Sequence, residues 1–369
     1  MARPKTVQTP GGAPGGPVRT GSMGMGRLES FYAPWTRGRP PARSLWNLTT
    51  FHLRMVLNDS VIIHPPGFYI IGFETFPHIS VYMIFLAFVY VFTLVFNILL
   101  MYIIARDHCL HTPKFLAVVN LAVIDVILNT TTIPSMIKTF VFKDNFVPFN
   151  LCLLQMYVYY SFSSLESYAL AILAYDRLIA ICFPLHQKSI NTMRSMSCIV
   201  GMTWVYSLGR VAYSTVIMTQ LSFCNSVRVF SYFCDYAPVF RLACNDYTLQ
   251  WSVASTSSMV NLLTPFTFIV LSYASILTTV SRMKSVSSSI KAFSTCIEHL
   301  VLVAVFYIPT FSIFLVGLYV RSIDPDQRVM SLSLASCIPP CINPIVYSWK
   351  TKEIKTRALS LVQRMKTRP

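Results

Sequence analysis

The chain has 369 residues, of which 54% are hydrophobic, 14% aromatic and only 12% charged. With a mean hydropathy of +0.55, this composition excludes an ordinary soluble domain and points to a membrane protein. The formal net charge of +16 reads mainly as membrane topology, with nucleic-acid binding a poor second.

Residues 1–54 carry eight basic residues, a single acid, Glu29, and the Pro/Gly-rich start TPGGAPGGPVRTG. They contain neither an apolar signal core nor a packable pattern. Two readings stand: an upstream extension, a gene-model artefact whose true start is Met55, or a disordered tail that is translocated. Residues 55–78 then form the outer amino-terminal segment. The sequons Asn47-Leu-Thr and Asn58-Asp-Ser make Asn47 and Asn58 glycosylation candidates, and only Asn58 survives a start at Met55. A third match, at Asn129, lies inside an apolar run where the transferase cannot reach it.

Seven apolar runs follow, at 79–104, 115–137, 149–175, 196–221, 248–280, 292–320 and 329–349. Each is long enough to cross a bilayer as a helix, which takes about 20 residues, and helices satisfy their own backbone in lipid. The expected fold is an all-α membrane protein, a seven-transmembrane helix bundle over 79–349 with a cytoplasmic tail at 350–369. If the amino end lies outside, the outer joints hold only Lys138, Lys143, Arg228, Arg241, Arg321 and Arg328. The remaining joints and the tail hold fifteen Lys and Arg against those six, so the positive-inside rule places the amino end outside and the carboxyl end inside. Cys152 begins the third run, and Cys224, Cys234 and Cys244 lie in the joint after the fourth. These four fall on the oxidising side and allow three pairings.

Ionisable groups within apolar runs are costly, so each is a functional candidate. They are Asp125 in the second run, Glu166 in the third, Asp176-Arg177 at its inner end, Arg210 in the fourth and Glu298-His299 in the sixth. Asp125 and Glu166 both sit near mid-depth, and two nearby carboxyls cannot both stay ionised without a cation or proton between them. A bound Na+ or a shared proton answers this; the bland alternative is two separately protonated acids hydrogen-bonded to Asn97 or Asn343. No cofactor is required. Arg177, with five donors, reads as a latch held by Asp176 in one state, with Tyr273 and Tyr347 as partners once it opens. Pro265, Pro309 and Pro344 interrupt runs and bend them, and a bent sixth helix can swing its inner end.

The motifs NLAVIDV around Asp125, LHTPKFL (110–116), LAYDRLIAICFPLH (173–186), YFCDYAP (232–238), SYASIL (272–277), KAFSTCIEHL (291–300) and NPIVY (343–347) occur in order. Together they make the chain resemble rhodopsin-like G-protein-coupled receptors, and within them the odorant receptors, over residues 67 to 360. The stretch FPLHQKSINT suggests a fish-type member. Lys114 and Glu298 depart from the odorant-type pattern; Lys114 can snorkel at a cytoplasmic edge.

The resemblance implies that Cys152 pairs with Cys234 and Cys224 with Cys244. It implies that Asp176 and Arg177 hold the resting state and, once released, open an inner cavity for a heterotrimeric G protein. Tyr273, Asn343, Pro344 and Tyr347 belong to the same switch, Asp125 and Glu166 to a sodium-type site, and Tyr307 is a rotamer switch above it. His299 is expected beside the third helix. By helical spacing Tyr159 and Ser163 share one face, Ser257 and Asn261 another, and Tyr307, Thr310 and Phe314 a third. These would line an outward-facing ligand cavity, although aromatic residues at such spacing also serve helix packing. No acid shares the Tyr159 face, as amine receptors require, and the seventh run has no Lys for a retinal Schiff base.

The expected function is therefore reception of a small odorant, with activation of a stimulatory olfactory-type G protein and a rise in cyclic AMP. The expected location is the plasma membrane of an olfactory sensory neuron, with lipid around the bundle and no nucleic-acid partner. The alternatives are a non-olfactory chemosensory receptor of the same superfamily and a transporter or channel; lack of internal symmetry opposes the latter. No nucleophile–base pair or metal-ligand cluster suggests an enzyme.

Overall fold

The computed structural model describes residues 54–57, 60–74, 76, 78–283, 286–319 and 324–350. Asn47, Asn58 and the 350–369 tail beyond Lys350 lie outside the described residues. The long helices are α1 (Ile79–Arg106), α2 (Pro113–Phe140) and α3 (Phe149–Cys182). After the one-turn α4 (Gln187–Ile190) come α5 (Met193–Met218), the short α6 (Tyr236–Phe240), α7 (Thr248–Ser281) and α8 (Val286–Tyr319). The last are α9 (Pro325–Cys337) and α10 (Pro339–Lys350). Among the described residues this makes seven helical columns, with α9 and α10 forming the last.

Five of these columns are long and apolar enough to cross a membrane by length and composition: α1, α2, α7, the 296–313 part of α8, and 326–347. The other two, α3 and α5, have the length but are more polar than expected of the third and fourth runs. The reason is visible in α3, which turns Ser161, Ser164, Glu166, Ser167 and Asp176 into the protein interior. It packs against α2, α5, α7 and α8, so its polar groups meet helices rather than hydrocarbon. By contrast α1 leaves Val81, Ile84, Phe88 and Val91 bare of protein, Phe88 at 72% exposure, as suits a lipid-facing helix.

The run at 329–349 was expected as one helix, and the structure breaks it at Ile338. Pro339 and Pro340 supply no backbone N–H, and a proline disfavours the helical conformation of the residue before it. The amino end of α9 is capped by Asp324, whose carboxylate accepts from the backbone N–H of Asp326 at 2.9 Å and of Gln327 at 3.2 Å. Pro265, Pro309 and Pro344 lie inside helices as anticipated, and so does Pro134 in α2.

One end of the bundle is closed by loops and strands. There β1 (Arg54–Leu57) pairs antiparallel with β2 (Ser60–Ile63). In a separate sheet β3 (Gly67–Ile70) lies between β4 (Phe146–Pro148) and β5 (Arg228–Val229), antiparallel to the first and parallel to the second. Gly67 allows this approach, since a Cβ there would lie 2.3 Å from the Val147 carbonyl oxygen. Two disulfides fasten the same end: Cys152 to Cys234, tying the start of α3 to the loop after α5, and Cys224 to Cys244 within that loop. Phe68, Met156, Val229, Val239 and Phe240 pack around the first bond.

Asp235, beginning α6, accepts a hydrogen bond from the Tyr160 hydroxyl. Burial pushes its carboxyl above the ordinary carboxylate range, with Tyr160 and Arg328 opposing. The fold thus favours the protonated form, so its contribution is full below the unfolded pKa and is lost as pH rises through the raised folded value. Asp235→Asn keeps an acceptor for Tyr160 and should flatten this part of the stability–pH curve, read as thermal midpoint against pH in the acid range.

The closed loops differ in length, 82 residues for Cys152–Cys234 and 20 for Cys224–Cys244. Chain-entropy reasoning makes loss of the longer one costlier by about 1 kcal/mol. Thermal unfolding of Cys152→Ser and Cys224→Ser in detergent should rank them in that order.

Candidate functional site

Four polar centres lie along α3. Nearest the disulfide end, the Tyr159 hydroxyl meets that of Tyr232, from the loop, at 2.9 Å, and Tyr232 reaches Ser336 of α9 at 3.0 Å. Phe233 lies against the Tyr159 ring at 4.1 Å between centroids. Gln155 of α3 accepts from the Cys234 backbone N–H at 3.2 Å. The loop therefore inserts an aromatic pair over one face of α3.

Two turns further along α3 is a second centre, shared with α5, α7 and α8. Ser164 donates to Asn261 Oδ1 at 3.1 Å and lies 3.4 Å from Ser207 of α5. Ser167 donates to the Asn261 carbonyl at 3.1 Å and meets the Tyr307 hydroxyl at 2.7 Å. Asn261 in turn donates to the Ser257 carbonyl at 2.7 Å, and Phe266 and Phe311 pack on Tyr307. Of the expected ligand residues, the structure gathers Asn261, Ser257 and Tyr307 here and leaves Tyr159 with the loop. Ser163 is half-buried outside these hydrogen-bonded groups, Thr310 bonds back to the Phe306 carbonyl at 2.7 Å, and the Phe314 side chain lies outside the described residues. Ser164, Ser167, Ser207 and Tyr232 were missed. The first two are three residues apart on α3, a spacing that marks a common helix face.

The two acids form the third centre. Asn343 of α10 donates to both carboxyl oxygens of Asp125, at 2.9 and 3.1 Å, which is the Asn343 arrangement of the bland alternative. Glu166 is 2% exposed, and its Oε1 has no hydrogen-bond partner among the described residues. Asn97 Oδ1 and Asn129 Oδ1 are likewise buried without a donor, while their amides bond to Pro340 and Cys337 carbonyls. Every unsatisfied atom here is an acceptor, so what these oxygens lack is a proton or cation. The donor set is hard oxygen and fits Na+; no group of three or more His, Cys, Asp or Glu exists among the described residues for a transition metal.

At the far end of α3 the expected Asp176–Arg177 contact is not formed. Asp176 accepts from Asn191 at 2.8 Å, because the turn after α3 brings that amide back beneath the helix. Arg177 is 6% exposed and its Nε has no partner among the described residues. The Tyr273 hydroxyl meets His299 Nδ1 at 2.8 Å, and His299 Nε2 lies 2.9 Å from the Leu170 carbonyl of α3. A carbonyl only accepts, so Nε2 carries the proton and Nδ1 accepts from Tyr273. His299 thus lies against α3 as expected and keeps Tyr273 on α7. Tyr347 is buried and its hydroxyl has no partner among the described residues, and Pro344 is buried one turn before it.

The olfactory receptor family profile matches residues 86–365. The chain belongs to the olfactory receptor family. It is 34% identical to mouse olfactory receptor 1M1 over 275 residues, covering 74% of this chain and 87% of the relative. Human olfactory receptor 2AT4 is 31% identical over 293 residues, 79% of this chain and 91% of that one. Human olfactory receptor 1L4 is 32% identical over 293 residues, with 78% and 93% covered. As an olfactory receptor the chain is a multi-pass, non-enzymatic G-protein-coupled receptor. These mammalian relatives lend no support to a fish-type origin.

Asn343→Ala would leave Asp125 buried without its donor and should cost about 2–3 kcal/mol. Adding Asp125→Asn should recover part of that loss, since the unpaired acid is then gone; thermal unfolding of the purified single and double variants checks both.

Proposed function

We propose that this olfactory receptor binds a small odorant in the half of the bundle nearest the disulfides and activates a stimulatory, olfactory-type heterotrimeric G protein, raising cyclic AMP. The observation that carries this reading is the Ser167–Tyr307 hydrogen bond at 2.7 Å beside Asn261. It joins α3, α7 and α8 through neutral polar groups that a small ligand can re-bond. A ligand favours the active state only by binding it more tightly than the resting one. Exchanging partners at Ser167, Asn261 and Tyr307 provides such a difference. Tyr159, Ser163, Ser257, Thr310 and Phe314 complete the proposed pocket.

In this reading all seven columns span the plasma membrane of an olfactory sensory neuron, with the disulfide end outside and the Arg177 end inside. Cysteines bonded in an oxidising compartment support that orientation. Glycosylation is assigned to Asn58 and Asn47. Na+ would be held by Asp125 and Glu166, where it supplies positive charge to the partnerless Glu166 oxygen and stiffens the resting bundle. Displacing Tyr273 from His299 frees it to meet Arg177 with Tyr347, as the inner end of α8 swings about Pro309 and opens the G-protein cavity.

The test is a cyclic AMP assay of the full chain with an olfactory-type G protein against an odorant panel. An agonist of the parent should be silent on Arg177→Ala at equal surface display. On Tyr307→Phe, which removes one hydrogen bond worth about 1 kcal/mol, its half-maximal concentration should rise about fivefold. Ligand-evoked current that persists without the G protein would defeat the receptor mechanism.

A further inference from the structure

Arg210 has no part in any of these centres. It stands on α5 eight residues, or about 12 Å of helix, before the end at Met218. That depth is well within hydrocarbon, where an unpaired cation is costly. Among the described residues no carboxylate forms an ion pair with it, and its buried Nε has no hydrogen-bond partner. Tyr206 of α5 and Tyr168 of α3 lie near enough to act on its charge, and their rings meet edge to face at 5.8 Å.

The same stripe of α5 faces away from the protein. Tyr206, Gly209, Arg210 and Tyr213 fall at helical spacing on one side, with Tyr206 42% and Tyr213 54% exposed. Between those two rings Gly209 leaves a gap, since a Cβ there would meet nothing within 4 Å. Toward the middle of the helix the surface continues as Val205 and Met202, 76% and 68% exposed. A cation is thus set at the head of a notch whose tail is bare and apolar.

We propose that Arg210, Tyr168, Tyr206 and the Gly209 notch form a lipid-facing site for a single-chain carboxylic acid, with the carboxylate on Arg210 and the chain along Val205 and Met202. Charge complementarity selects the anion, and the two donors of a guanidinium edge match a carboxylate. Depth selects its kind. Headgroups lie near the ends of a spanning helix, so a phospholipid phosphate would have to be drawn about 12 Å inward. A carboxylic acid reaches that depth in its neutral form and ionises beside the cation, its proton passing to interfacial water. The neighbouring hydroxyls of Tyr168 and Tyr206 remain as further donors.

This site rests on the reading of α5 as a spanning helix, but on neither the odorant nor the G protein. The test uses the full chain in phosphatidylcholine nanodiscs with a palmitic acid analogue carrying a mid-chain diazirine, labelled sites being mapped by peptide mass spectrometry. Labelling of α5 around Met202–Val205 is expected, and excess palmitate should suppress it while hexadecanol does not. Arg210→Gln should reduce it about tenfold or more, the loss of a charge-assisted bond. Gly209→Leu, which keeps the cation and fills the notch, should reduce it as well, and decides the matter if the first variant fails to fold. Unchanged labelling in both variants, or equal competition by hexadecanol, overturns the site. Competition by phosphatidylglycerol assigns the cation to phosphate and overturns it too. Failure to reconstitute into discs would instead strike the spanning reading.

Discussion

Inside a membrane bundle a polar side chain has no water to fall back on, and the architecture follows from how α3 meets that constraint. Ser164, Ser167 and the carbonyl of Leu170 meet neighbouring helices, and its glutamate is buried in the bundle. Where those neighbours supply a partner, as Asn261 and Tyr307 do, the contact fixes which helix lies beside which and at what rotation. Buried polar contacts of this kind add less to net stability than to uniqueness, because leaving one unmade costs more than making it gains.

That asymmetry also explains why the molecule can have more than one arrangement. Two groups of unsatisfied atoms stand out among the described residues. Glu166, Asn97 and Asn129 present acceptors around the middle of the bundle, and Arg177 and Tyr347 present donors near the far end of α3. A structure with every group paired would be locked. Here the Glu166 region can take up positive charge and Arg177 and Tyr347 keep donors to offer, and a shift of α8 or α10 relative to α3 changes what each meets. His299 stands between them, holding Tyr273 with one ring nitrogen and α3 with the other.

The helices were legible because length and hydropathy act locally. So were the interior charges, since hydrocarbon makes each of them conspicuous. Two kinds of feature were not. The break at Ile338 arises from the Pro339-Pro340 pair inside an apolar run, and an apolar run by itself does not show where its backbone stops being continuous. The partners of Asp176 and Tyr159 were hidden for another reason. Asn191 and Tyr232 lie in connecting segments, and helical periodicity says nothing about where a loop returns. Asp176 stands next to a charge in the sequence, yet in the fold its partner is a neutral amide fifteen residues on. The olfactory-type motifs did place both disulfides, pairings that the spacing of four cysteines left open.

The strand β3 is easily taken for a mere lead-in to α1. It is the middle strand of its sheet, with β4 on one side and β5 on the other, and so touches the loop that leads into α3 and the loop bonded to α3 by a disulfide. The first helix, the second and the fifth are thereby laced together outside the bundle by one short ribbon of chain. In mechanical terms β3 is the keystone of the cap: pull on the residues before Gly67 and the force is divided between two loops, one of them bonded to α3 through Cys234. The amino-terminal side of this receptor is thus a structural tie rather than a tether.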